Sequence, residues 1–185
     1  MKLNKLILAF VIAFSLNTFA QQQGDYSKEP GYFDFSELTK LKAGEFTTEV
    51  YLEEPLLKMV AKMGESKDEE MGNLINALKL VKVNEFMLDR SNIQKFETDL
   101  ASVEKNLQSK KWQRIIKTKQ KHNDIKVYVK NNGSENFSGL LIAMLNGEGK
   151  VTLVNIVGDI NPESIGKLSK QFNFPDVGKM KEKED

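Results

Sequence analysis

The chain of 185 residues has no cysteine, one histidine, one tryptophan and four prolines. Without thiols there are no disulfides, no thiolate metal sites and no cysteine-linked lipid, so apolar burial has to carry stability. One histidine supplies too few nitrogen ligands for a zinc site. The chain also lacks G-x-S-x-G, H-E-x-x-H and a phosphate-cradling glycine loop. No cofactor or metal is expected on these grounds, and an enzyme is the weaker class. An apolar run of about 20 residues, enough to cross a bilayer, is missing too.

What the chain does have begins at its start. Lys2 and Lys5 precede an apolar stretch from Leu6 to Leu16 and a Thr18-Phe19-Ala20 exit. That pattern predicts a signal peptide over residues 1–20, cleaved after Ala20 to leave Gln21 as the new N-terminus. Asn17 and the Gln21-Gln22-Gln23 run arrive too early for a membrane anchor. The expected product is exported, periplasmic or secreted, with no transmembrane segment after cleavage. Its 25 bases and 26 acids nearly balance, which argues against nucleic acid as a partner.

The remaining 165 residues fit one domain. Residues 21–30 are polar and aperiodic and read as a flexible leader, residues 31–175 as a single α+β domain, and residues 176–185 as a charged tail. Alternation predicts a strand over Glu45–Leu52, and Pro55 with Leu56, Met59, Val60 and Met63 predicts a helix over 55–63. Met71, Leu74, Ile75 and Leu78 suggest a short helix. Lys79–Leu88 is apolar at both parities, as a strand buried on both faces is. Ser91 with Gln94 reads as a capping box ahead of the stripe Ile93, Phe96, Leu100, Val103 and Leu107. Strands follow at Trp112–Lys119, Ile125–Lys130, Phe137–Leu145 and Val151–Val157, separated by asparagine and glycine turns that imply an antiparallel meander. Asn161 and Pro162 open a last helix carrying Ile165, Leu168 and Phe172. The order β-α-β-α-β-β-β-β-α predicts a two-layer fold, a mostly antiparallel sheet with helices packed on one face.

Tyr32-Phe33-Asp34-Phe35, the stretch Glu49-Val50-Tyr51-Leu52-Glu53-Glu54-Pro55-Leu56-Leu57, the strand at Gly139-Leu140-Leu141 and Val154-Asn155-Ile156-Val157-Gly158-Asp159-Ile160 together resemble the bacterial family catalogued as domain of unknown function 4252. The resemblance covers nearly the whole chain after the signal segment. It implies a small exported envelope protein and brings no catalytic residue or ligand.

Few side chains point to chemistry. His122 lies in a polar turn and reads as exposed. Asp159 ends a strand, where sites on sheets gather, but Gly158-Asp159 also reads as a structural bend. The acidic loop Glu65–Glu70 lacks the alternating ligands of a calcium loop. Asn132-Gly133-Ser134 and Asn136-Phe137-Ser138 match the glycosylation sequon by chance in a loop.

The least bland feature is charge. Residues 105–130 hold nine bases and one acid, Asp124, whereas residues 29–70 hold eleven acids and five bases. Strand alternation puts Lys117, Lys119 and Lys121 on one face, and Lys126, Tyr128 and Lys130 opposite the apolar Ile125, Val127 and Val129. If the register aligns the two sets, one open sheet face is basic. The candidate binding residues are therefore Arg114, Lys117, Lys119, Lys126, Tyr128 and Lys130, with Trp112 beside them. An anionic envelope protein, glycan or lipid headgroup is the expected partner of a non-catalytic interaction module. The alternative is an envelope hydrolase with two converging carboxylates, Asp159 being one.

Overall fold

In a computed structural model, residues 24–65, 69–120, 123–133 and 135–165 are described. The predicted signal segment, His122, the charged tail and the last predicted helix beyond Ile165 lie outside the described residues.

Among the described residues six strands form one sheet: β1 (Lys42–Glu53), β2 (Leu78–Leu88), β3 (Trp112–Gln120), β4 (Asn123–Asn131), β5 (Phe137–Asn146) and β6 (Lys150–Ile160). Their order is β1-β2-β6-β5-β4-β3 and every pairing is antiparallel. Strands β3 to β6 are the expected meander. The β5–β6 turn works because Gly149 holds φ at 88°, in the left-handed region that side chains avoid. Among the described residues four α-helices accompany the sheet: α1 (Ser36–Thr39), α2 (Glu54–Glu65), α3 (Glu69–Asn76) and α4 (Ile93–Ser109). The class is α+β, as the pattern predicts.

The helices do not share one face. Leu57 and Ala61 of α2 and Leu74 and Ile75 of α3 pack with Val81, Val127, Val129, Ile142, Val154 and Ile156. Phe96, Leu100, Val103 and Leu107 of α4 instead pack with Phe86, Trp112, Tyr128, Leu141, Val151 and Leu153. Val127, Tyr128 and Val129 are consecutive and alternate between the two clusters, so the clusters lie on opposite sides of the sheet. The fold thus has three layers where two are expected. The reason is already visible in β2, whose double-parity apolar pattern demands cover on both sides.

The entry to α4 also differs from expectation. A 3-10 turn over Arg90–Asn92 precedes it, and Asn92 occupies the N-cap without a side-chain cap bond, so Ser91 builds no capping box. Burying the four apolar side chains of α4, each worth roughly 1.5–3 kcal/mol, fixes the helix instead.

The segment expected as a leader is engaged from Gly24 onward. A 3-10 turn covers Tyr26–Lys28, the Glu54 amide donates to the Tyr26 hydroxyl at 3.4 Å, and Lys79 meets Glu29 at 2.9 Å. Residues 31–38 then lie along the α4 side of the sheet as a strap. Asn155, fully buried, holds it: its Oδ1 accepts from the Phe33 amide at 2.8 Å, and its Nδ2 donates to the Gly31 carbonyl at 3.0 Å and the Leu140 carbonyl at 3.2 Å. Strap and β5 touch backbone to backbone, since a Cβ on Gly139 would meet the Gly31 Cα at 2.6 Å. The strap then delivers Phe35 and Leu38 to the core.

Candidate functional site

Register decides where the six candidate residues sit. Trp112 pairs with Lys130, Arg114 with Tyr128, Lys117 with Lys126 and Lys119 with Asp124. Directly opposed residues of an antiparallel pair project to the same side. Arg114, Lys117, Lys119, Lys126, Tyr128 and Lys130 therefore share one face. A bulge between Arg114 and Ile116 makes this possible, because the extra Ile115 resets the alternation before Lys117.

That face is not open. It is the side roofed by α4, so Tyr128 is 1% and Lys126 7% exposed. Helix α4 meets the cations with acids spaced seven apart: Glu97 and Glu104 lie on one side of the helix. Glu104 pairs with Arg114 through Oε1, and its Oε2 lies 4.0 Å from the Lys126 ammonium. Glu97 reaches Lys119 at 3.2 Å, and the Lys130 ammonium donates to the Lys110 carbonyl at the C-terminal end of the helix. A cation capping the last carbonyls suits the helix dipole.

Beneath this roof, burial pushes the Lys126 amine below its ordinary value, with Asp124 pulling the other way. Burial likewise pushes the Tyr128 phenol up to about 12. Among the described residues the Tyr128 hydroxyl and one oxygen of Asp124 have no hydrogen-bond partner. The pair Tyr128 and Lys126 thus belongs to the packed interior. Accessible charge remains on Lys105, Lys110, Lys111 and Lys117, all exposed and without an ion pair among the described residues, and on the half-engaged Lys119. From Ile93 to Asn131 ten bases face four acids, a balance of +6.

At the opposite edge of the sheet, β1 carries Glu45, Glu49 and Glu53, with Glu45 almost wholly exposed. Five strand spacings of about 4.8 Å put the two edges roughly 24 Å apart. The near-neutral total conceals a basic edge and an acidic one.

Asp159 is a turn anchor. Its Oδ1 accepts from Asn136 at 3.0 Å and from Asn132 at 3.3 Å, pinning the β4–β5 turn. The described residues hold no cluster of three or more histidine or carboxylate groups placed to bind a metal. No described helix is long and apolar enough to cross a membrane.

Glu97 and Glu104 are the residues that the sequence reading passes over. A window starting at Lys105 leaves them out, although their heptad spacing beside the apolar stripe signals acids turned toward whatever the helix covers.

Among known families, the profile described as Domain of unknown function (DUF4252) matches residues 42–168. No curated protein and no solved structure matches the chain.

Proposed function

From a chain that belongs to the DUF4252 family, whose description assigns no activity, we propose a non-catalytic binding module that is exported to the bacterial envelope and captures an anionic partner on its basic edge. The observation that supports it most is the separation of charge across the sheet. Lys105, Lys110, Lys111 and Lys117 gather at β3 and the C-terminal half of α4, while the carboxylates of β1 lie at the far edge. A field of that shape orients an approaching polyanion and repels it from the wrong edge. Glu97 and Glu104 hold the inner cations in the fold, so binding falls to the outer ones.

The experiment is retention of the processed protein on a sulfated polysaccharide resin across a salt series. Retention should fall steeply as salt screens the contact, and Lys105→Glu with Lys117→Glu should weaken it while Lys58→Glu, on α2, leaves it unchanged. Retention that ignores salt, or its complete absence, overturns the reading. Intact mass of the exported protein tests the export half: a chain beginning at Gln21 supports it and one retaining Met1 refutes it.

A further inference from the structure

Where the C-terminal end of α4 faces the β4–β5 turn, a groove of about 670 Å³ opens, within the size range of small-ligand sites. Four carboxamides line it, Gln108, Gln113, Asn131 and Asn132, together with Lys111 and Trp112. We propose that this groove is a subsite for an acidic sugar, a uronic acid or a sulfated monosaccharide unit of a glycan. The proposal rests on the anion-binding reading above and names the chemistry of the ligand.

The chemistry of the walls carries it. A carboxamide offers two donors and an acceptor on one planar group, which suits the vicinal hydroxyls of a pyranose, where each oxygen both gives and receives a hydrogen bond. Asn131 already uses its Oδ1 on the Gly133 amide at 2.6 Å and Asn132 donates to Asp159 at 3.3 Å, which fixes the direction of both side-chain amides. Among the described residues Lys111 adds the one full charge in the lining, and no carboxylate lines the groove. A carboxylate or sulfate on the sugar would meet that ammonium. Trp112 is 4% exposed and packs toward Gly139, so it forms a wall and not a stacking platform. Polar contacts therefore select the ligand.

The backbone at Lys111 supports the same conclusion. Lys111 sits just past α4 with φ at 65°, a left-handed conformation that glycine adopts freely and a lysine adopts at a cost. The helix end does not require its ammonium. The Lys111 amide donates to the Gln108 carbonyl at 3.0 Å and the Lys130 ammonium meets the Lys110 carbonyl, so those carbonyls are satisfied without the Lys111 ammonium. A lysine where glycine fits better, lining a groove of carboxamides, points to use by a ligand.

The test titrates tetragalacturonate into the isotopically labelled processed protein and follows amide resonances, with mannotetraose as the neutral comparison. Saturable shifts of the Gln113 and Asn131 side-chain amides and the Gly133 backbone, stronger for the acidic sugar, are expected. Lys111→Gly should melt no lower than the parent yet bind the acidic sugar at least about tenfold more weakly, the loss of one charge-assisted hydrogen bond. Gln113→Ala, at an exposed position, should weaken both sugars.

If salt-dependent resin retention persists while neither sugar shifts the groove amides, the subsite is wrong and the anion-binding module stands. If retention is absent as well, both fall. Tighter binding to anionic phospholipid vesicles or to an acidic peptide than to tetragalacturonate, with shifts outside the groove, also overturns the subsite.

Discussion

The two faces of this sheet are cut from the same strands and built from different chemistry. Under α2 and α3 the buried residues are aliphatic, with Val81, Val127, Val129, Ile142, Val154 and Ile156 in contact with leucine and alanine. Under α4 and the strap the core is aromatic and threaded with polar groups: Phe86, Phe96 and Trp112 lie among Asn84, Lys126, Tyr128 and Asn155. Hydrocarbon is interchangeable from one strand position to the next, but a buried amide or ammonium tolerates one surrounding. A slip of one residue would carry Asn155, Tyr128 and Lys126 into the aliphatic face, so the polar face fixes the register that the aliphatic face stabilises.

That division can be broken from either side. On the aliphatic face, Ile142→Ala should cost about 3–4 kcal/mol, the loss of a fully buried side chain plus the cavity it leaves. Urea unfolding should show a lower midpoint with one cooperative transition, and the strap should stay docked. A second transition would mean that the faces are separately stable domains.

On the polar face, Asn155→Leu keeps the volume and adds apolar surface, so hydrocarbon logic predicts a gain. We expect a loss of about 2 kcal/mol instead, because the buried Gly31 carbonyl and the half-buried Phe33 amide would be left without partners. The loss should be local: hydrogen exchange at Phe33 should accelerate more than at Ile142. Equal acceleration at both positions would show that Asn155 supports the whole sheet and has no special hold on the strap.

The same contrast explains what could be read in the sequence. Aliphatic strands announce themselves by composition, and their turns by asparagine and glycine, so β2 to β6 stand within a few residues of their predicted bounds. The strap does not, because Gly31-Tyr32-Phe33-Asp34-Phe35 has neither helical nor strand periodicity. Its partners, Asn155 and Gly139, lie more than a hundred residues away. Strict alternation places Arg114 and Lys117 on opposite sides of β3, and only the bulge at Ile115, invisible in the pattern, brings all six candidate residues to one face. The roof over them is not legible along the strands, because the acids that meet the cations stand on α4 ahead of the basic stretch. Glu104 is separated from Arg114 by ten positions and from Lys126 by twenty-two, and only packing brings them together. The groove at Lys111 likewise needs the β4–β5 turn to arrive beside α4.

Tyr128 gives the smallest effect and the finest probe of the polar face. Its hydroxyl is buried without a partner among the described residues, so Tyr128→Phe removes an unsatisfied group and should stabilise the protein by about 1 kcal/mol at neutral pH. The advantage should widen in alkali. Burial lifts the folded phenol to about 12 against 10.0 for the free group, so between those values the unfolded chain releases a proton that the folded one keeps. Stability from this group is whole below pH 10 and declines as pH climbs toward 12, a decline the phenylalanine variant lacks. Lys126 beside it acts in the opposite sense, since its lowered amine lets the folded state shed a proton first and recover stability as pH rises toward 10.5. Lys126 is present in both proteins, so subtracting one urea midpoint from the other at each pH isolates the phenol. Parallel curves would mean that Tyr128 ionises like an exposed tyrosine, and the roof formed by α4 would then have to be open to water.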